Sequence, residues 1–485
     1  MPLPCPGTGL RVACLILAAA ATASSAAEPA TDRPAPAEGR PNIVLIVMDT
    51  ARRDHFSTYG YEKETTPSFS RFAEGSILFD RAYSTSAWTV PAHASLFTGL
   101  YPASHGANQE TQRLADGAVT LAEILSDAGY QTASFSGNPW ISSLADLAQG
   151  YDKAEVFWSS RAQPEEGKGL PHAQNRKALR WVDERDPTRP FLLFVNYIEA
   201  HWRYQAPPEF QRRFVPGGRE VSQEDDAMFP AQRGYLAPER VPTDLIPVRT
   251  GMYDADLAFT DAILGELLDG LRERDLLEGA LVIITSDHGE NHGDNGHFAH
   301  MLTLNEPVLR VPLAVRPPGG EGAGTVRDDP VQLGDLFATA LTAAGVALPE
   351  LPLPVHDVLA GPVPADREIL AEYYYPNQVL DSFPKRALEN PNLRPYLRRI
   401  RTLITGGDKL TWGSDGRVEL YDLAADPAES RDVRADRPER SAALEARLDA
   451  LLTRCRTTML VPGEDEEQEM TPEEEERLRA LGYVR

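Results

Sequence analysis

The strongest constraint on the fold of this chain is the run Asn42-Ile43-Val44-Leu45-Ile46-Val47-Met48, which ends directly on Asp49. A strand with one wet face alternates apolar and polar residues. An unbroken apolar, β-branched run reads instead as a strand buried on both faces, the situation inside a parallel sheet covered by helices on each side. Two more such runs follow, Phe191 to Ile198 and Leu281 to Ile284. Amphipathic helical patterns lie between them, at Leu121 to Ala128 and Leu257 to Leu271, the second with Leu257, Leu264, Leu267, Leu268 and Leu271 at helical spacing. Buried strands alternating with helices imply an α/β fold, a large, mostly parallel sheet with helices on both faces.

The ends of the chain read differently. In residues 1–27, Arg11 precedes an apolar run from Val12 to Ala21 and then small residues through Ala27. The run is too short for a membrane span, which takes about 20 apolar residues, and has the form of a signal peptide. The expectation is an exported protein, periplasmic or secreted, with no stable membrane span. A lipid anchor on Cys14 is the alternative, although Arg11 stands where a lipobox wants an apolar residue. Residues 28–40 have linker composition, and a main domain occupies 41–363. From 364 to 457 the pattern changes to short segments at Ile369–Tyr375, Ile400–Ile404, Lys409–Trp412 and Val418–Asp422, broken by Gly406-Gly407 and Asp415-Gly416. These are hairpin signals, so a small C-terminal antiparallel sheet is expected, followed by a helix from Glu439 to Arg456. Residues 458–485 form an acidic tail whose Thr471-Pro472-Glu473-Glu474 reads as the start of a short helix. Ser159–Gln174 and Arg203–Pro247, rich in Pro, Gly and charge, read as long loops near a site. Acidic residues outnumber basic ones 72 to 48, a net charge of -24, which argues against nucleic acid as a partner. Cys5, Cys14 and Cys455 cannot build a disulfide framework.

In open parallel sheets, sites form beyond the carboxyl ends of the strands. Here the three apolar runs are followed by Asp49, by Glu199 and His201, and by Asp287 and His288. Such endings suggest a hard divalent cation on Asp49, Asp287 and His288. A fourth element, Thr89-Val90-Pro91-Ala92-His93, has a Pro suited to a first helical turn with Thr89 just ahead of it. Taken alone, Thr89 reads as a helix cap.

The ordered set of motifs resembles the sulfatases, within the alkaline phosphatase superfamily, over nearly the whole chain after the signal. It comprises the run into Asp49-Thr50 with Arg52 and Asp54, Thr66-Pro67, Thr89 to Gly99 with Leu100-Tyr101-Pro102, Thr285-Ser286-Asp287-His288-Gly289-Glu290, Leu309-Arg310-Val311-Pro312-Leu313, and Glu419-Leu420-Tyr421-Asp422-Leu423 with Asp426-Pro427 and Glu429. The resemblance implies a catalytic domain over 41–363, metal ligation by Asp49 and Asp287 with His288 in a slot that is Asn in many sulfatases, and Thr89 at the nucleophile position. It also implies that His201 contacts the ester oxygen and that His300 stabilises the leaving group or the anion. Trp202, beside His201, offers a flat apolar surface at the cleft rim.

The departures from the pattern bear on the chemistry. Sulfatases use a formylglycine made from Cys or Ser; Thr89 cannot be converted to it, so no formylglycine is expected. Thr50 stands where many sulfatases carry a second ligand Asp. His93 replaces an Arg of the motif, and Gly137-Asn138-Pro139-Trp140 replaces a segment with a Lys and a His that grip sulfate, which puts His93 and Asn138 among the candidate substrate contacts. The resulting expectation is an exported, metal-dependent, sulfatase-like hydrolase with one divalent ion (Ca²⁺, Mn²⁺ or Zn²⁺), cleaving sulfate or phosphate esters through Thr89. Its substrate would be a small-molecule, glycan or lipid ester. A phosphodiesterase or phosphotransferase of the same superfamily, or a non-catalytic anion-binding member, are the alternatives.

Overall fold

The structure is a computed structural model that describes residues 39–157, 172–221, 231–238, 241–377, 380, 387, 389–460 and 472. The segment expected to be a signal, most of Ser159–Gln174 and, apart from Pro472, the expected tail helix at Thr471–Glu474 lie outside the described residues.

The main sheet contains β1 (Ile43–Met48), β2 (Ile77–Tyr83), β3 (Gln131–Ser136), β4 (Lys153–Val156), β5 (Phe191–Tyr197) and β6 (Leu281–Thr285). After the short hairpin β7 (Asn291–His292) and β8 (Phe298–Ala299), it is joined by β9 (Arg310–Arg316), β10 (Val326–Arg327) and β11 (Val331–Gln332). The strand order is β10-β2-β9-β6-β1-β5-β3-β4, with β11 also on β2. Only β9 runs against its neighbours; the other pairings are parallel.

The unbroken apolar run of β1 has a direct explanation in the packing. Successive side chains of a strand point to opposite faces. Ile43, Leu45 and Val47 enter one core, with Val90, Leu96 and Phe97 of helix Thr89–Thr98, Leu121 and Leu125 of helix Leu121–Asp127, and Phe337 of helix Leu333–Ala343. Val44, Ile46 and Met48 enter the other, with Phe69 and Phe72 of helix Pro67–Glu74, Val182 of helix Ala173–Glu184, and Leu257, Leu264 and Leu268 of helix Ile246–Arg272. All of β1 is buried. Each such side chain stabilises the fold by about 1.5–3 kcal/mol, so a single polar substitution in β1 would expose the sheet centre to a large loss.

The register places the site. Val47 pairs with Thr285 of β6, Met48 with Tyr197 of β5, and Ser136 of β3 with Asn196. The carboxyl ends of β6, β1, β5 and β3 therefore finish side by side.

The small sheet is β12 (Ile369–Tyr373), β13 (Ile400–Thr405), β14 (Asp408–Gly413) and β15 (Val418–Asp422), antiparallel throughout. Leu370, Leu403, Leu410 and Leu420 pack on Leu444, Leu448 and Leu452 of helix Pro438–Arg456, while Ile369, Ala371 and Tyr373 pack with Leu302, Leu304 and Leu309. The hairpin reading thus agrees with the observed sheet and helix.

The loop expected at Arg203–Pro247 differs in part. It contains helix Pro208–Phe214 and the short helix Ala231–Leu236. Phe214 packs against Ala255 and Ala258, and a Cβ on Gly251 would collide with the Phe214 carbonyl oxygen, so the glycine lets this helix lie against Ile246–Arg272. Among the described residues, no helix is long and apolar enough to cross a membrane.

Candidate active site

Asp49 follows β1, and Asp287 and His288 follow β6. All three are fully buried. One ligand-type atom from each lies within 4.8 Å of the others. Asp49 Oδ1, Asp287 Oδ2 and His288 Nε2 have no hydrogen-bond partner among the described residues. A buried polar atom left unpaired is costly, and three that converge match the donor set of a divalent cation. The residues present therefore fit the ion that the sequence implied.

The remaining atoms of these ligands are held from behind. Thr50 N and His288 N donate to Asp287 Oδ1 at 3.2 and 2.9 Å. Asn138 Nδ2 donates to Asp49 Oδ2 at 2.8 Å, with Asn196 Nδ2 at 3.4 Å. A Cβ on Gly289 would collide with the Pro307 carbonyl oxygen, so only glycine lets the ligand loop approach that segment. Burial, and then the Asp287 charge, push Asp49 up to about 7. Burial likewise pushes Asp287 up to about 7 and His288 down to about 4. Two carboxylates and a neutral imidazole in this state are poised to accept positive charge.

Thr89 opens helix Thr89–Thr98 as its first helical residue. The N-cap position is Trp88, without a side-chain cap, so the Thr89 hydroxyl is not engaged as a helix cap. Instead Thr89 Oγ1 accepts from Asn138 Nδ2 at 3.3 Å, and the same amide nitrogen reaches Asp49. Asn138 is fully buried and its Oδ1 accepts from Trp140 N at 3.0 Å, which fixes the amide orientation. One side chain thus links the hydroxyl to the ligand group.

His201, His288 and His300 form a row. The rings of His201 and His300 are 4.9 Å apart, and those of His288 and His300 are 4.6 Å apart. Burial pulls the His300 pKa down, but Glu290, Asp49 and Asp287 outweigh it and hold the ring above the usual histidine value. His201 Nδ1 is turned to the Trp202 carbonyl. Trp202 is partly buried and packs at the edge of the second core.

His93 sits beneath this row. It is fully buried, edge-on to Phe97 and Phe194, with Nδ1 2.9 Å from Thr89 O and 3.6 Å from Asp287 Oδ2. Burial lowers it to about 3, so it is a neutral ring packed under the ligands. His105 is a satisfied turn residue, on Ser95 Oγ and Ala107 N. His55 is held by Asp254, and Asp54 by Arg52, so both brace the first loop. Glu290, two residues after His288, reads from the sequence as a holder of neighbouring backbone or a histidine rather than of the metal, and it is buried beside His300.

The family model described as sulfatase matches residues 41–346. The uncharacterized sulfatase YidJ of Escherichia coli K12 is 26% identical over 432 residues, covering 81% of this chain and 83% of that protein. A solved structure bound to its substrate D-glucosamine-2-N,6-O-disulfate superposes with a TM-score of 0.68 at 22% identity, covering 89% of this chain and 100% of that one. The phosphonate monoester hydrolase of Agrobacterium radiobacter superposes with a TM-score of 0.67 at 20% identity, covering 86% of this chain and 96% of that one. These two likenesses carry the fold.

Proposed function

This chain belongs to the sulfatase family, and we propose that it is an exported, divalent-cation-dependent hydrolase in which Thr89 is the nucleophile and phosphate-type esters are cleaved faster than sulfate esters. The observation that carries this reading is the Asn138 amide, which contacts both Asp49 Oδ2 and Thr89 Oγ1 and so keeps an uncapped hydroxyl beside the ligand group. The ion would be held by Asp49, Asp287 and His288. When bound, it lowers the pKa of a nearby hydroxyl and offsets charge on the transferring group.

The chain's own residues account for the rest. Thr89 Oγ gives its proton to water in the site and attacks phosphorus, the Oγ–P bond forming as the bond from phosphorus to the ester oxygen breaks, while Asn138 Nδ2 stabilises the charge that develops on Oγ. The Thr89 end of its helix is the positive end of the dipole, which favours an anionic group. His300 gives a proton to the departing ester oxygen, with His201 beside it. Water then attacks the phosphothreonine and gives one proton to His300; the Oγ–P bond breaks, phosphate is released, and Thr89 Oγ takes up a proton from water, matching the one it lost in the first step.

Thr89 itself supports the phosphoryl preference. A formylglycine hydrate expels sulfate by collapsing to the aldehyde, an exit that a threonine ester lacks. A phosphoryl adduct is cleaved through in-line attack stabilised by the same groups. A phosphonate monoester hydrolase also shares the fold. The test is a panel of sulfate monoesters, phosphate monoesters, phosphonate monoesters and phosphodiesters on the unmodified protein. Faster turnover of the phosphorus esters supports the reading; much faster sulfate release refutes it.

A further inference from the structure

Beside His300 lies a carboxylate with no role in the chemistry above. Glu290 is fully buried, and neither side-chain oxygen has a hydrogen-bond partner among the described residues. It is not one of the three grouped ligands. Its Oε1 lies 3.7 Å from His300 Nδ1. Its main chain is anchored: Arg52 Nη1 donates to the Glu290 carbonyl at 3.0 Å, and Arg52 is itself held by Asp54 and Asp294 at 2.7 and 2.8 Å. A buried carboxylate without hydrogen bonds is expensive to keep unless a group opposite offsets it. His300 is placed to do so.

We propose that Glu290 is a positioning residue for His300: it accepts from Nδ1–H, fixes the ring, and so makes Nε2 the nitrogen that exchanges a proton with the leaving oxygen. The inference rests on the reading of His300 as the leaving-group residue. At 3.7 Å the contact is a charge contact longer than a hydrogen bond. Catalytic hydrogen bonds are often long before substrate binds and tighten in the complex. The anchored Glu290 main chain supplies the fixed end of such a contact, while the ring is the part that moves.

The consequence is selective. Proton donation matters when the departing alcohol is a poor leaving group and hardly matters when it is a good one. Losing the Glu290 carboxylate therefore steepens the dependence of rate on leaving group, whereas general damage to the site lowers all rates alike.

The experiment uses the full chain and three variants: Glu290→Gln, which keeps shape and removes charge, His300→Asn, and the pair combined. Across phosphate monoesters from 4-nitrophenyl to simple alkyl, Glu290→Gln should lower kcat/KM about 10–100-fold on alkyl esters and less than about threefold on 4-nitrophenyl phosphate. In the His300→Asn background it should cost nothing further, since residues acting as a unit are non-additive. A second readout needs no turnover: ¹⁵N spectra of histidine-labelled, chelated protein should show His300 protonated at Nδ1 in the parent and not in a further variant, Glu290→Leu, which removes the acceptor as well as the charge. Equal losses on all leaving groups, additive losses in the double variant, or an unchanged His300 spectrum would overturn the assignment. If the parent hydrolyses no ester, the hydrolase reading fails by itself and the spectrum alone decides the Glu290 contact.

Discussion

Residue 50 offers a direct probe of the ligand group. The resemblance to the sulfatases places Thr50 where many of them carry a second Asp. Its φ is 57°, in the left-handed region, where a β-branched residue is strained by about 1–2 kcal/mol. Its hydroxyl donates back to the Asp49 carbonyl at 2.7 Å, and its N–H to Asp287 Oδ1 at 3.2 Å. Thr50→Asp relieves part of the strain, since Asp tolerates this conformation, and loses a hydrogen bond of about 1 kcal/mol. These two effects nearly cancel and leave electrostatics in charge. The introduced carboxylate would stand roughly 5 Å from Asp49 and Asp287, where each charge pair costs about 3 kcal/mol at an effective dielectric near 20. Without metal at neutral pH, the two aspartates, both pushed to about 7, carry roughly one charge between them, so the chelated variant should be destabilised by about 3 kcal/mol. With a divalent ion the two ligand charges are neutralised and the repulsion vanishes. The difference amounts to about 100-fold tighter binding. Calorimetric titration with Mn²⁺ and Ca²⁺ checks the affinity, and melting with and without chelator checks the stability. Thr50→Asn, with similar shape and no charge, should leave the affinity within about threefold of the parent. Unchanged affinity in Thr50→Asp, together with an unchanged chelated melt, would show that residue 50 does not adjoin a cation site.

Other perturbations bear on neighbouring steps. Asp287→Ala should abolish stoichiometric divalent metal, measured by elemental analysis of dialysed protein, while circular dichroism stays that of the parent. The raised Asp49 and Asp287 pKa values give the chelated protein a pH signature. The unfolded chain ionises these groups near 3.8 and the folded one near 7, so stability should fall as pH rises through that window. Saturating Mn²⁺ should flatten the fall in melting temperature across the same pH series. Asn138→Leu, which removes the donor to both Asp49 and Thr89, should lower kcat about 10–100-fold with a smaller change in KM, because the developing alkoxide loses a hydrogen bond. Gly289→Ala should destabilise the fold by about 2–4 kcal/mol in chemical denaturation, since its Cβ meets backbone at Pro307.

The legible parts of the fold were those where burial alone wrote the sequence. β1, β5 and β6 are flanked by strands and covered on both faces, so their runs stay apolar until the site end, where Asn196 of β5 and Thr285 of β6 stand. β3, also flanked by strands but next to the sheet edge, reads Gln-Thr-Ala-Ser-Phe-Ser, and two of its three hydroxyls find partners, Thr132 Oγ1 on Gly150 O and Ser136 Oγ on Asn138 O. β2 carries Asp80 and Arg81 at a register shift between Phe79 and Ala82, which hides its period. Helix Pro208–Phe214 is too short to repeat an apolar stripe, so its stretch read as loop. In the site, Asp49, Asp287 and His288 stood out as strand endings. Asn138 surfaced only as a departure from the family pattern, and its link to Thr89 depends on the alignment of β1 and β3 through β5. Thr89 as a cap was the reasonable local reading; tertiary placement turned its hydroxyl elsewhere.

The central claim is that the Thr89 oxygen becomes covalently attached to the transferred group. Rapid acid quench of the Mn²⁺-loaded protein during turnover of a phosphate monoester, followed by peptide mass spectrometry, tests it most directly. The account expects a phosphoryl group on Thr89 during steady-state turnover, absent after substrate is exhausted and absent from Thr89→Ala, which should be inactive. Undiminished turnover by Thr89→Ala, or a phosphoryl group found on another residue of the active parent, would contradict it.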